Sequence, residues 1–271
     1  MKKFFVLLTF VASLAMITAC GDKNVDESNA EASAQSENAS EQTSEQAVGD
    51  APVKLDLVID SVIPAEMAAI YAKGDFKPCV AVFFKDDVKN EKVGEFPSKW
   101  NLNNGSAEVV NFENNNVIML ANSDTEITPK VAGESKNYLP NVFTIEFEYY
   151  CNGDEDYNAV YHLFFGDNDN PTFSEVRLAT EDNVGWIVTK TNDEQINGNY
   201  NDMAKVEKKN AWNHFAISYN NGAMKIYVNG QRVSNLSGLK NPRCFTIKGE
   251  GWDDHRYYLK NLRMATVKPA E

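Results

Sequence analysis

Two glutamates on one predicted strand have a spacing that could support acid–base chemistry. Glu146 and Glu148 are separated by a single residue, and because side chains alternate along a strand, both carboxylates would lie on the same face of a sheet. Two carboxylates on one face can supply the nucleophile and the general acid–base of glycoside hydrolysis. The alternate positions form an apolar row: Phe143, Ile145, Phe147 and Tyr149. Alternation alone accounts for this pattern, so the favoured interpretation is two solvated glutamates opposite a buried row.

An oxygen-rich turn offers candidate ligands for a hard cation. Asp167 and Asp169 alternate with asparagines, and carboxylate and carbonyl oxygens are the groups that bind calcium. Asp and Asn are also common in turns because their side chains hydrogen-bond to the local backbone. A plain polar turn is therefore the favoured interpretation, with calcium at Asp167 and Asp169 as the alternative. No other cofactor is indicated.

The histidines and cysteines lack the spacing of a metal site. The three histidines are scattered, with no partner at ligand spacing, which argues against zinc. Besides a cysteine near the amino terminus, the chain contains Cys79, Cys151 and Cys244. They form no Cys-x-x-Cys pair. One disulfide with a free thiol, or three unpaired cysteines, are both compatible with the sequence.

Aromatic and polar residues that could form a sugar-binding face occur in the second half of the chain. Such faces pair an aromatic platform with a few polar groups. The candidate platforms are Trp186 and Trp252, and their candidate polar partners are Glu148 and Arg177. Aromatic residues are also the normal content of a β-protein core, so core or ordinary surface positions are the favoured interpretation.

Repeated short strands must position these residues. Between residues 210 and 233, two alternating apolar runs are flanked by Asn221-Gly222 and Asn229-Gly230, which predicts two successive hairpins with type I′ turns. Further short runs rich in β-branched and aromatic residues predict strands at 80–84, 107–112, 117–120, 143–149, 160–165, 174–179, 184–189, 245–248 and 257–267. No long amphipathic helix interrupts them. The pattern predicts an all-β fold, an antiparallel sandwich or barrel.

One short helix is predicted ahead of these strands. The stretch from Pro64 to Gly74 has a proline in its first turn and a glycine after its end. Met67, Ile70 and Tyr71 would share one face of that helix. We expect this face to pack on the edge of the sheets.

The strand-rich region resembles a known domain family. Residues 212–219, 224–233 and 258–265 are similar to the closing half of a laminin-G or concanavalin A-like jelly roll. Residues 84–100 look like the opening of the same domain in certain bacterial outer-membrane proteins, where an OmpA-like domain usually follows. The resemblance implies a two-sheet jelly roll over residues 79–267. The peptidoglycan-binding activity of the OmpA-like domain is not carried over.

The same resemblance provides a test of the two glutamates. Glycoside hydrolases of this fold carry Glu-x-Asp-x-x-Glu on one strand, with the last glutamate as the acid–base. The nearest match in this sequence has Glu146 at the first position, Glu148 in place of the aspartate and Cys151 in place of the last glutamate. The resemblance therefore does not imply catalysis.

The amino terminus resembles that of a bacterial lipoprotein. Two lysines precede an apolar run from Phe4 to Ile17, which is typical of a signal peptide. The end of the run, Ile17 to Gly21, resembles a lipobox, in which the peptide is cut before a cysteine that carries the lipid. That cysteine would be Cys20. The resemblance implies an outer-membrane lipoprotein of the cell envelope, periplasmic or surface-exposed.

These observations divide the chain into five predicted parts. A lipoprotein signal peptide, residues 1–19, precedes the lipidated cysteine and an acidic linker, residues 20–52. The linker is rich in Ser, Ala, Glu, Gln and Asn and is predicted to be a disordered tether, because it has too few apolar residues to offset the entropy of ordering. A bridging segment, residues 53–78, leads to the jelly roll, residues 79–267, and a tail, residues 268–271.

Charge and composition narrow the function. The chain has 26 basic and 39 acidic residues and a net charge of −13, which argues against a nucleic-acid partner. We expect a lipid-anchored envelope module that binds a glycan or a protein partner without catalysis. The alternatives are a carbohydrate-processing enzyme of the same fold with an altered motif, and a structural spacer between the lipid anchor and an assembly partner.

Replacing Cys20 with alanine should remove the lipid from the exported protein, because the cysteine is the expected attachment site. The intact mass of the exported protein, compared between wild type and Cys20→Ala, measures this directly. A lipid-bearing mass that persists in the variant would exclude Cys20 as the anchor.

Overall fold

The computed structural model describes residues 53–268, apart from residues 122–123, 132–136, 152–158, 182–183, 192–193, 200–202 and 251–255. The described part forms two antiparallel sheets around one hydrophobic core, with two short helices. The nine strands of sheet A are β1 (Val58–Ile59), β2 (Ala81–Asp86), β4 (Ala107–Phe112), β5 (Asn115–Leu120), β7 (Val142–Cys151), β12 (Ala211–Asn220), β13 (Ala223–Val228), β14 (Gln231–Leu236) and β16 (Tyr257–Thr266). The seven strands of sheet B are β3 (Trp100–Asn104), β6 (Glu126–Pro129), β8 (Ala159–Gly166), β9 (Ser174–Glu181), β10 (Val184–Thr191), β11 (Glu194–Asn199) and β15 (Cys244–Glu250). The helices are α1 (Ala65–Tyr71) and α2 (Met203–Val206).

The strand order confirms the predicted antiparallel jelly-roll sandwich. Sheet A runs β1-β2-β16-β7-β12-β13-β14, and the β4–β5 hairpin joins it through β16. Sheet B runs β11-β10-β9-β8-β15-β6-β3. Among the residues described, no helix combines the length and apolar composition needed to cross a bilayer.

The core is built by strand alternation. On β7, the central strand of sheet A, the predicted apolar row is buried: Phe143, Ile145, Phe147 and Tyr149. These side chains meet aromatic residues of neighbouring strands, and Phe143 stacks on Tyr219 of β12 with ring centroids 4.9 Å apart. Each sheet therefore has an inner face committed to the core and an outer face directed away from it.

The two predicted Asn-Gly turns are confirmed. Asn221 and Gly222 have φ of 45° and 87°, and Asn229 and Gly230 have φ of 49° and 83°. Positive φ at both central positions is the geometry of a type I′ turn, which matches the twist of the strands it joins.

Four strands were not predicted: β1, β3, β6 and β11. Strands β3 and β11 are rich in asparagine and lie at the two edges of sheet B. An edge strand pairs with one neighbour and needs less apolar surface, so its sequence carries little strand signal. Strand β1 has only two residues and pairs with β2, which places the bridging segment along the edge of sheet A.

Helix α1 forms within the predicted stretch, but it packs on the outer face of sheet A and not on the edge of the sheets as predicted. Tyr71 at its end joins Phe76, Ala216 and Tyr227 in a small apolar cluster. The chain after the helix also passes very close to the second Asn-Gly turn. A Cβ atom on Gly230 would lie 2.0 Å from the carbonyl oxygen of Ile70, so the helix can dock only against a residue without a side chain.

Gly230→Ala should therefore lower the free energy of unfolding by more than the strain of a positive φ alone would. Gly238→Ala is the matched control, because Gly238 has a similar φ of 75° but nothing within 4 Å of its Cβ position. We expect the control to cost about 1 kcal/mol for the positive φ, and Gly230→Ala to cost about 1–3 kcal/mol more because α1 must shift. Urea unfolding measures the free energy of unfolding of both variants. Faster hydrogen exchange at α1 in Gly230→Ala would show that the extra loss comes from the docking of this helix. Equal losses in the two variants would contradict this docking.

Candidate functional site

A buried carboxylate occupies the outer face at the centre of sheet A. Glu146 on β7 is only 3% exposed. The hydroxyl of Tyr71 donates a hydrogen bond to its Oε2 over 2.5 Å, and Arg263 Nη1 donates to its Oε1 over 2.9 Å. His214 Nε2 lies 3.2 Å from Oε2. These four residues are called the carboxylate cluster.

The cluster keeps Glu146 ionised. Burial alone would raise the pKa of this carboxyl, but hydrogen bonds from His214 and Tyr71 and the charges of His214 and Arg263 outweigh it and hold the pKa below its ordinary value. Burial and the neighbouring carboxylate raise the pKa of Tyr71, so its hydroxyl remains a donor. The expectation that Glu146 is solvated is therefore wrong. Its charge is retained in a buried position because three partners satisfy it.

The cluster also fastens the bridging segment to the sheet. Arg263 bonds Glu146 through Nη1, and its Nη2 donates to the backbone carbonyl of Cys79 over 2.7 Å. Tyr71 reaches the same carboxylate from α1. One carboxylate thus connects β7, β16 and the segment that precedes β2.

A cleft of about 730 Å³ opens between the bridging segment and sheet A. One wall is apolar and comes from the segment itself, with Val62, Ile63, Pro64 and Met67. Val62 and Ile63 are strongly exposed, at 81% and 47%. The opposite side is polar and comes from sheet A and the loop after β2: Lys85, Asp87, Lys89, Glu148 and Asn261. Both predicted glutamates line this cleft, Glu146 at its buried base and Glu148 nearer to solvent.

Glu148 keeps partial solvent access while making two contacts. Its side chain is 23% exposed, Asn261 Nδ2 donates to Oε1 over 2.6 Å, and Lys260 Nζ lies 3.4 Å from Oε2. The register of β16 against β7 shifts between Lys260 and Arg263, and Asn261 has a φ of 56°. This bulge turns the asparagine toward Glu148, which fits the tendency of bulges to re-aim side chains beside binding sites.

An aromatic patch continues the same outer face beyond Glu148. It consists of partly exposed residues from four strands: Phe112, Tyr150, Trp212 and Tyr258. Phe112 stacks on Tyr258 with ring centroids 4.2 Å apart, and Tyr150 meets Trp212 edge-on at 5.5 Å. Lys260 Nζ lies 4.1 Å above the Trp212 ring, so it joins the patch to the carboxylate of Glu148.

The structure does not bring the predicted sugar-binding residues together. Glu148 lies on sheet A, whereas Arg177 lies on β9 of sheet B. Trp186 lies on β10 opposite Ala179, and its side chain is outside the described part, as is the whole of Trp252. Grouping Arg177 with Glu148 in one site was therefore wrong, because the two belong to different sheets.

The Asp167 turn is held by its own hydrogen bonds. Asp167 Oδ1 accepts the backbone N–H groups of Asp169 and Asn170 over 3.1 and 2.8 Å, and Oδ2 lies 2.5 Å from Lys240 Nζ. Asp169 is exposed. Within the described residues, no group of three or more His, Cys, Asp or Glu side chains is placed to hold a metal ion. Calcium at this turn stays a prediction.

The remaining predicted residues are cysteines. Cys79 and Cys244 are free thiols, so they do not form a disulfide with each other. The side chain of Cys151 and the whole of Cys20 lie outside the described part.

Several residues of the site were not predicted from sequence: Tyr71, His214, Asn261 and Arg263. Tyr71 and Glu146 are 75 positions apart in sequence and Glu146 and Arg263 are 117 positions apart, so no local spacing links them. Trp212 was predicted only as part of the strand region 212–219. Its place on the outer face of β12 follows from alternation with buried Phe215 and Ile217, a signal that the sequence does contain.

Comparison with known proteins identifies the class of fold. Residues 122–256, just under half of the chain, match a laminin G-like family model described as "Concanavalin A-like lectin/glucanases superfamily". No curated protein matches the chain in sequence. The part of the chain that the structure describes therefore has a concanavalin A-like jelly-roll fold.

The two solved structures with TM-scores of 0.50 or above agree with this fold at low identity. An endo-1,3-beta-glucanase from Streptomyces sioyaensis is 11% identical with a TM-score of 0.53, and the match covers 69% of this chain and 96% of that one. A structure described under "Prominent members of the human gut microbiota express endo-acting O-glycanases to initiate mucin breakdown" is 10% identical with a TM-score of 0.50, covering 69% and 100%. The botulinum neurotoxin serotype D binding domain is 14% identical with a TM-score of 0.47, covering 70% of this chain and 49%, about half, of that one. At these identities the likeness shows the fold alone.

Glu146→Gln should destabilise the protein at neutral pH, because it leaves Arg263 without its buried counter-charge. We expect a loss of about 3 kcal/mol. Since the folded-state pKa of Glu146 lies below its ordinary value of 4.5, the stability that its charge provides is present above that pH and is lost as the pH falls through the lower folded value. The gap between wild type and variant should therefore narrow on acidification.

Urea unfolding of both proteins from pH 7 to pH 3 measures this gap. Glu108→Gln on β4, outside the cleft, is the control and should change stability by less than about 0.5 kcal/mol. A gap that stays constant over the whole range would show that the charge of Glu146 does not contribute.

Proposed function

We propose that this protein is a glycan-binding module, and that the aromatic patch and the polar side of the cleft form its binding face. The observation that carries the proposal is their continuity: partly exposed Trp212 and Tyr258 lead through Lys260 to Glu148 and Asn261. Sugar rings have apolar faces that pack on aromatic side chains, and hydroxyls that bond carboxylate and amide groups. An aromatic platform with a few placed polar groups matches both needs.

The chemistry of the two glutamates supports binding without catalysis. Glu146 is ionised, buried and committed to three partners, so it is poorly placed to attack a substrate or to transfer a proton. Both oxygens of Glu148 contact neighbouring side chains. A glycosidase needs two carboxyl groups that face the same bond, and Cys151 stands at the position where the related enzymes carry the third acid.

The family description, which names both lectins and glucanases, is compatible with a saccharide ligand. We further propose that the module is held at the outer membrane of a bacterial cell envelope by a lipid on Cys20, as the amino-terminal sequence indicates. The predicted linker would then let the domain reach ligands some distance from the membrane.

Screening the purified protein on a glycan array, followed by calorimetric titration of the strongest binder, tests the binding face. Trp212→Leu should weaken binding about tenfold through loss of ring stacking. Glu148→Gln should weaken it to a similar extent because a charged acceptor is lost. Glu108→Gln is the control and should bind like wild type.

The products of a long incubation distinguish this proposal from its alternatives. Binding without cleavage supports a module. Cleavage that disappears in Glu148→Gln would identify an enzyme instead. The absence of binding to any glycan would favour a spacer or a protein partner.

A further inference from the structure

The outer face of sheet B carries a grid of charged side chains that the proposed binding face on sheet A does not use. In one row, Lys248 of β15, His162 of β8 and Arg177 of β9 lie directly opposite one another across the strands. In the next row, Glu175 of β9 lies opposite Lys190 of β10. A cavity of about 250 Å³ lies over these residues.

A buried hydrogen bond between a histidine and a glutamate forms the base of this cavity. His162 is 2% exposed, and its Nδ1 bonds Oε1 of Glu175. Arg177 Nε donates to the same oxygen over 2.7 Å. Burial would raise the pKa of Glu175, but the hydrogen bonds from His162 and Arg177 outweigh it and lower the pKa to about 2. Glu175 is therefore a fixed negative charge at neutral pH.

The polar groups around this base are only partly satisfied by the protein. Within the described part of the chain, Oε2 of Glu175, the terminal nitrogens of Arg177 and Nζ of Lys190 have no hydrogen-bond or ion-pair partner. His162 Nε2 is buried and lies 2.9 Å from Glu250 Oε2, but the contact does not have the geometry of a hydrogen bond. Lys248, in contrast, is held by Asp124 at 2.7 Å.

We propose that this cavity is a second binding site, specific for a uronic acid, in which Arg177 and Lys190 bind the sugar carboxylate and Glu175 accepts a ring hydroxyl. Arg177 is suited to this role because a guanidinium can bond a carboxylate through two parallel N–H groups. Phe164 lines the same cavity and provides apolar surface for a ring face. The volume lies below the roughly 300–1,000 Å³ of sites for drug-sized ligands, which fits a single sugar ring.

The cavity contains both cationic and anionic side chains, and this combination favours a uronic acid over simpler anions. Glu175 and Glu250 would repel a sulfate, a phosphate or an acidic peptide that approached Arg177. A ligand with one carboxylate and several hydroxyls satisfies both signs, because its hydroxyls donate to the glutamates while its carboxylate accepts from the cations. The site stands apart from the face of Glu148 and does not depend on the function proposed there.

Titration of the purified full-length protein with galacturonate, monitored by calorimetry, tests the site. Galactose, the methyl ester of galacturonate and acetate are the comparison ligands. We expect millimolar binding of galacturonate and at least about tenfold weaker binding of the other three, because each lacks either the carboxylate or the hydroxyls. Galacturonate binding should also weaken as the salt concentration is raised, because salt screens the attraction between the charges.

Variants assign the binding to this cavity. Arg177→Gln and Lys190→Gln should each weaken galacturonate binding about tenfold or more, while Arg232→Gln, an exposed arginine on β14, serves as the matched control. Unfolding midpoints confirm that each variant is folded. Glu148→Gln should bind galacturonate like wild type, because Glu148 lies on the other sheet. The two proposals can therefore be contradicted separately: the binding face on sheet A by the glycan array, and this cavity by the galacturonate titration.

Three outcomes would overturn the proposal. Galactose that binds as tightly as galacturonate would show that the carboxylate is not recognised. Acetate that binds equally well would show a general anion site. Unchanged binding in both Arg177→Gln and Lys190→Gln would place the ligand elsewhere.

Discussion

The burial of one charge governs the outer face of sheet A. A carboxylate removed from water costs several kcal/mol unless its partners satisfy it. The partners of Glu146 come from three separate parts of the chain: α1, β12 and β16. Tyr71 reaches this carboxylate only when the bridging segment lies across the sheet, and the segment in turn forms the apolar wall of the cleft. The shape of the cleft therefore depends on an interaction at its base.

Two glutamates on the same strand face consequently have different environments. Glu146 lies beneath the segment and is locked by Tyr71 and Arg263, whereas Glu148, two residues on, lies beyond its edge and keeps partial access to solvent. The alternation of a strand places both on one face but does not determine which of them is covered. The bridging segment covers Glu146, which is therefore structural, and leaves Glu148 available to a ligand.

This difference marks the limit of what the sequence could predict. Most strands, the two Asn-Gly turns and the core row of β7 follow from local patterns, and these predictions were confirmed. The burial of Glu146 depends on Tyr71 and Arg263, which are distant in sequence. No short stretch of sequence includes all three residues, so this burial could not be predicted from a local pattern. The aromatic patch was not predicted for a related reason. The patch around Trp212 forms only when four strands are placed side by side, and its residues are scattered from Phe112 to Tyr258.

A sandwich restricts where recognition can occur. The two inner faces are filled by the core, so ligands must meet outer faces, edges or loops. Here the outer faces differ in chemistry: sheet A offers aromatic rings beside a covered cleft, and sheet B offers a charged grid around Glu175 and Arg177. Packed sheets are about 10 Å apart, and side chains of the core fill the space between them. Substitutions that share no partners at such separations usually act independently, so each face can acquire its own ligand specificity without altering the other.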